Sequence, residues 1–157
     1  MHIRPVTLAL ALALTGAAAC SEDDAVTPVR NPVEFSMGAV DGNGVTGTVT
    51  IQDQAGAGST VTVALQGLPP SSQHAGHVHV GSCAAQGAIL AGLNPITADA
   101  QGAGSATTTG VPDDLLVSGY YVQYHVALSP PGDPISCGNI PGAPASGGSD
   151  GGSNGGY

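Results

Sequence analysis

The chain has 157 residues, with two Lys or Arg set against eleven Asp or Glu and a net charge of −9 at neutral pH. The two cations are Arg4 and Arg30, so histidine is the only basic side chain beyond position 30. Nucleic acid, anionic headgroups and phosphorylated ligands need cationic partners to offset their charge, and this composition argues against all three.

Met1-His2-Ile3-Arg4 makes a short basic start, and Val6 to Leu14 follows without a charge. That run is too short to cross a bilayer, which takes about 20 apolar residues, and it reads as the apolar core of an export signal. Thr15-Gly16-Ala17-Ala18-Ala19 then leads small residues into Cys20. The arrangement resembles a bacterial lipobox, with Ala17 where leucine is commoner, and Ser21 resembles the outer-membrane sorting pattern. The expectation is a signal peptide over residues 1–19 and a lipidated Cys20 with a flexible linker over residues 20–32. The protein is thereby placed in the bacterial cell envelope, held to the membrane by lipid, periplasmic or cell-surface, with the outer membrane favoured. The alternative is an ordinary signal peptide cleaved after Ala19, leaving Cys20 a thiol.

From Val33 the apolar period is two. Val33–Val40 and Val45–Ile51 flank Asp41-Gly42-Asn43-Gly44, a tight-turn signal that predicts a hairpin. Thr60–Leu65, Gly76–Gly81, Ser105–Val111, Gly119–Leu128 and Ile135–Ile140 are further strands, separated by Gly and Pro clusters. Pro112 to Leu116 reads as about one helical turn. Many short strands at close spacing predict an all-β domain over residues 33–140, a sandwich or barrel with Greek-key connections. Residues 141–157, nearly all Gly, Ser, Pro, Ala and Asp, are expected to form a disordered tail.

His77-Val78-His79 holds the informative chemistry. Residues two apart on a strand share a face, so the two imidazoles project together while Gly76, Val78 and Val80 take the other side. On the late strand, Val122, Tyr124, Val126 and Leu128 form one apolar face, which puts Tyr121, Gln123 and His125 opposite. Three imidazoles on two strands could offer three nitrogen donors to copper or zinc. Plain solvated histidines are the alternative. Were they ligands, their nitrogens should lie within about 3–4 Å of one another, since each sits ~2.0 Å from one metal. Cysteine counting gives a further pair: with Cys20 assigned to lipid, Cys83 and Cys137 remain for a disulfide in an oxidising compartment, or else stand as two buried thiols.

Gly67-Leu68-Pro69-Pro70, His74-Ala75-Gly76-His77-Val78-His79, Cys83, Tyr124-His125-Val126 and Cys137-Gly138-Asn139-Ile140 together resemble the copper/zinc superoxide dismutase-like superfamily. The likeness covers most of residues 34–140 and is nearest to bacterial dismutase-like and chordin-type (CHRD) domains of exported proteins. It implies an eight-stranded Greek-key β-barrel of superoxide dismutase-like, Ig-like topology with copper outside the barrel wall. It also implies His77, His79 and His125 as copper ligands, a Cys83–Cys137 disulfide, and His74 as a structural histidine hydrogen-bonded to backbone.

Departures from the family qualify the function. No histidine lies between Cys83 and Ser105, and Gly92 stands where the family's bridging histidine would be, beside a family-like Leu93-Asn94-Pro95. Pro134, Ile135 and Ser136 fill the stretch where the enzymes place an anion-guiding arginine. The resemblance therefore implies a degenerate, copper-binding, non-dismutase module with no zinc site. The alternatives are a copper-only superoxide dismutase, which would make the chain an enzyme, and a metal-free CHRD-type binding or structural module.

Overall fold

The computed structural model describes residues 32–54 and 56–142. The signal peptide, Cys20, most of the linker and nearly all of the Gly/Ser-rich tail lie outside the described residues. Eight antiparallel strands follow one another: β1 (Val33–Ala39), β2 (Thr46–Gln54), β3 (Gly58–Gln66), β4 (Gln73–Ser82), β5 (Ala85–Thr97), β6 (Gly104–Val111), β7 (Tyr120–His125) and β8 (Pro134–Asn139). A single turn of 3-10 helix, Asp113–Leu115, follows Pro112, and Ser59 Oγ donates to Asp113 Oδ1 at 2.7 Å.

Strand order around the sheet is β5-β4-β7-β8-β1-β2-β3-β6. Pairing of β3 with β6 and of β4 with β7 skips chain neighbours, which is the Greek-key crossover. The two end strands are joined by Asn94 of β5, whose backbone N–H donates to Thr108 Oγ1 and whose Nδ2 donates to the Thr107 carbonyl, each at 2.7 Å. The wall is thus a nearly closed eight-stranded barrel.

Alternation decides what faces inward. Val49 and Ile51 of β2 and Val61, Val63 and Leu65 of β3 are buried, joined by Met37, Val78, Ile96, Val122 and Tyr124. The predicted hairpin turn is present: Asp41 and Gly42 both take positive φ, 53° and 71°, as a tight two-residue turn requires. Asn43 then accepts from Val45 N–H and donates through Nδ2 to the Ile135 carbonyl, tying this turn to β8.

Two expectations need correction. The late strand was expected to run to Leu128, with Val126 and Leu128 on its inner face. It ends at His125, and Val126 and Leu128 are exposed. A register shift at Tyr124/His125 breaks the ladder there, and the N–H groups of Val126 and Ala127 turn to the Asp133 and Pro131 carbonyls instead. Val80, expected inward, is likewise exposed, because β4 shifts register against β5 between His79 and Gly81. The longest strand, β5, was not expected at all. Its Ala, Gly and Pro content gives no period-two pattern, and most of its residues are exposed. Pro95 is tolerated because β5 stands at the end of the sheet order.

Candidate metal centre

Adjacent strands β4 and β7 set the site. His77 pairs with Gln123 and His79 with Tyr121, so His77, His79, Tyr121, Gln123 and His125 share the outer face. On the inner face the Tyr124 ring lies over Gly76, where any Cβ would collide with it, and its hydroxyl donates to the Asn94 carbonyl of β5 at 2.9 Å. One tyrosine therefore locks the three strands beneath the histidines. Burial pushes its hydroxyl pKa well above the ordinary value.

His77, His79 and His125 each offer one ligand nitrogen, and these atoms lie within 4.8 Å of one another. Ring centroids are 5.1 Å apart for His77 and His125, and 5.8 Å for the other two pairs. The nitrogens converge, but the spread exceeds the expected 3–4 Å; a common metal at ~2.0 Å would draw them in by about 1 Å.

Hydrogen bonds fix which nitrogen points inward. His79 Nδ1 lies 3.0 Å from the Gly87 carbonyl, and His125 Nδ1 lies 3.0 Å from the Gly132 carbonyl. A carbonyl only accepts, so each Nδ1 donates its proton and each Nε2 is left with its lone pair. Both Nε2 atoms, and Nδ1 of His77, are buried without a hydrogen-bond partner. Burial lowers the pKa of His77, as do the neighbouring His125 and His79. Burial also lowers that of His125, against the Gly132 hydrogen bond and with help from His79. These two rings thus favour the neutral, ligating form. The donor set fits a soft-to-borderline cation held by three imidazoles.

Support comes from either side. Tyr121 stacks on His79 with centroids 4.9 Å apart, and its hydroxyl accepts from Gly87 N–H at 3.2 Å. His74, 1% exposed, sits below: Nδ1 donates to the His125 carbonyl at 2.7 Å and Nε2 lies 2.6 Å from Ser72 Oγ. The Cys83–Cys137 disulfide is present, tying the β4–β5 turn to β8, and Cys83 N–H donates to Asn139 Oδ1. A recess in the surface lined by Ser36, Thr46 and Asp99 among others lies elsewhere and contains none of the histidines.

Sequence reasoning did not find the Gly87 and Gly132 carbonyls, which orient two of the rings. Backbone acceptors leave no residue-type signal. It had placed Tyr121 and Gln123 on the histidine face without assigning them a role there, although that shared face was the available clue.

No family model matches the sequence, and no curated protein does. Solved structures do match. A SOD-like protein from Bacillus subtilis aligns at 12% identity and a TM-score of 0.54, covering 68% of this chain and 97% of that one. A proline-to-histidine mutant of the same protein gives 19% and 0.56, covering 69% and 97%. The Cu/Zn superoxide dismutase from Brucella abortus gives 22% and 0.52, covering 70% and 99%. The fold of this chain is that of the copper/zinc superoxide dismutase-like superfamily.

Proposed function

We propose that this domain is a lipid-anchored, copper-binding module of the bacterial cell envelope that is not built for superoxide dismutation and turns superoxide over only slowly. The observation behind it is the set of three buried, unpartnered imidazole nitrogens, His77 Nδ1, His79 Nε2 and His125 Nε2, that converge on one point. A buried polar atom without a partner costs roughly 1–3 kcal/mol, and a bound cation relieves all three at once. Copper is favoured over other divalent ions by an all-imidazole set, because it stands highest in the affinity order for nitrogen donors. Bound there it would supply a redox-active Lewis acid. The protein's own part is to keep His77 and His125 neutral by burial, fix the tautomers of His79 and His125 through the Gly87 and Gly132 carbonyls, and bury the donors. No Lys or Arg follows Arg30, so nothing draws an anionic substrate inward at a rate worth calling catalytic.

The copper-only dismutase reading has one observation in its favour: His77 is only half buried and faces Gly92, which leaves the rim of the site open. The metal-free CHRD-type reading is favoured by the 4.8 Å spread. Metal analysis of the exported full chain separates all three. One equivalent of copper is expected, with loss of it in a His77→Ala/His79→Ala variant and only slow dismutation. A metal-free wild type would overturn the proposal in favour of the CHRD-type reading, and a diffusion-limited rate would establish the enzyme. The anchor is tested by labelled fatty acid, which should enter the wild type and not Cys20→Ser.

A further inference from the structure

Among the described residues, four buried side-chain atoms lack a hydrogen-bond partner: the three imidazole nitrogens and Nε2 of Gln123. Gln123 is 1% exposed, and its place is fixed by pairing with His77 of β4 on one side and Cys137 of β8 on the other. Along β7 it stands two residues from His125 and two from Tyr121, which stacks on His79. It therefore belongs to the same outer face as all three histidines, directly across from His77 and next along that face of β7 to His125.

The four orphaned atoms are of opposite kinds. Each imidazole nitrogen offers a lone pair and needs a Lewis acid or a proton. The amide N–H group needs the reverse, an acceptor. A metal ion alone satisfies the histidines and leaves Gln123 unpaired. A metal ion bearing an oxygen or nitrogen ligand of its own satisfies all four, because that ligand accepts from the amide while it donates to the metal. We infer that Gln123 is a positioning residue for a small exogenous ligand, hydroxide or a compact inorganic anion, bound to the metal held by His77, His79 and His125.

The inference rests on the proposed copper site and deepens it. Several features are consistent with such a ligand. The site has no Lys or Arg to recruit an anion, so a neutral N–H donor is what this sequence can offer. Gly92, opposite His77 on β5, would meet nothing within 4 Å if it had a side chain, so small molecules can reach the rim. Selection should favour small ligands over large ones, because Gln123 is 1% exposed and only a compact group could reach its amide.

Azide is a suitable probe, since its charge-transfer band on Cu(II) reports binding directly. The copper content of the full chain, of Gln123→Leu and of Gln123→Met is measured first. Azide is then titrated at matched copper occupancy. A hydrogen bond to a charged acceptor is worth enough to expect an azide affinity about tenfold lower in both variants, with a shifted charge-transfer band. A merely structural role would move stability and leave the band in place. Unchanged azide affinity in a copper-bound variant overturns the inference while the copper site stands. Loss of copper from both variants overturns it in another way, by making the amide itself a ligand. Absence of copper from the wild type overturns the site and the inference together.

Discussion

On one side of the barrel, β2 and β3 pair from Thr46↔Gln66 to Gln54↔Gly58 without a register break and send Val49, Ile51, Val61, Val63 and Leu65 into the core. On the other side, β4 shifts register three times against β5, β7 shifts once against β8, and the face they share carries four buried atoms with no partner. The regular side gains stability from repetition. The irregular side gives some of it up to polar atoms that no group among the described residues pairs, and its register shifts fall at His79 and His125.

The largest expected effect lies where the irregular side is stapled to the rest. Cys83 and Cys137 are 54 residues apart, and a bridge of that span restricts the unfolded chain by about 4 kcal/mol. Cys137→Ser should lower the denaturation midpoint by a corresponding amount, and mass spectrometry of the exported chain should show the linked peptide. Two thiols alkylated without reductant would remove the bridge from the account.

Next come two substitutions that pull stability and binding apart. Leu65→Ala on the regular side empties a site 3% exposed and should cost about 2–5 kcal/mol, with copper content unchanged. His77→Ala on the irregular side should cost less than about 1 kcal/mol, because it removes an orphaned atom, yet abolish copper retention. Equal losses of stability would mean that the two regions are not specialised as described.

The contrast also explains what could be read from sequence. On β2 and β3 the Thr/Val alternation is the fold, and local pattern was sufficient. His77, His79 and His125 followed from parity along two strands, although their convergence depends on β4 and β7 being neighbours, and no local pattern encodes that pairing. β5 was illegible because an end strand with few buried residues need not alternate. Val126 and Leu128 misled because apolar spacing continues past the point where Asp133 and Pro131 divert the backbone. The orienting carbonyls of Gly87 and Gly132 are backbone atoms, so the acceptor itself leaves no residue-type signal, although both positions demand glycine: a Cβ at Gly87 would collide with the Val80 carbonyl oxygen, and Gly132 takes a φ of +69°.

A smaller effect is expected from acid. Burial holds the pKa values of His77 and His125 below the ordinary histidine value of about 6.5. An unfolded chain binds protons there that the folded chain refuses, so stability from this pair is intact above about pH 6.5 and falls as the pH drops toward the lowered values. Copper should leave over the same acidic range, because a protonated imidazole cannot ligate. Denaturation midpoints at pH 7.5 and 5.5 check the sign: the wild type should weaken in acid, and a His77→Gln/His125→Gln variant should weaken less. Greater stability at pH 5.5 in the wild type would reverse the assignment.

The smallest expected change in stability comes from filling the gap opposite His77. Gly76 and Gly92 sit on neighbouring strands and differ completely in surroundings. A Cβ at Gly76 would strike the Tyr124 ring, so Gly76→Ala should cost about 1–3 kcal/mol and loosen β4 from β7. A Cβ at Gly92 meets nothing within 4 Å. Directly paired residues on adjacent antiparallel strands have Cβ atoms about 4.5–5.5 Å apart, so Gly92→His places a fourth imidazole beside His77. Its effect on the metal-free domain should stay within about 0.5 kcal/mol. Copper should nevertheless bind more tightly, and the nitrogen hyperfine pattern of Cu(II) should change from three imidazoles to four. If the pattern stays at three while the fold is intact, then the open space beside His77 does not face the metal, and the rim through which an outside ligand would arrive must lie elsewhere.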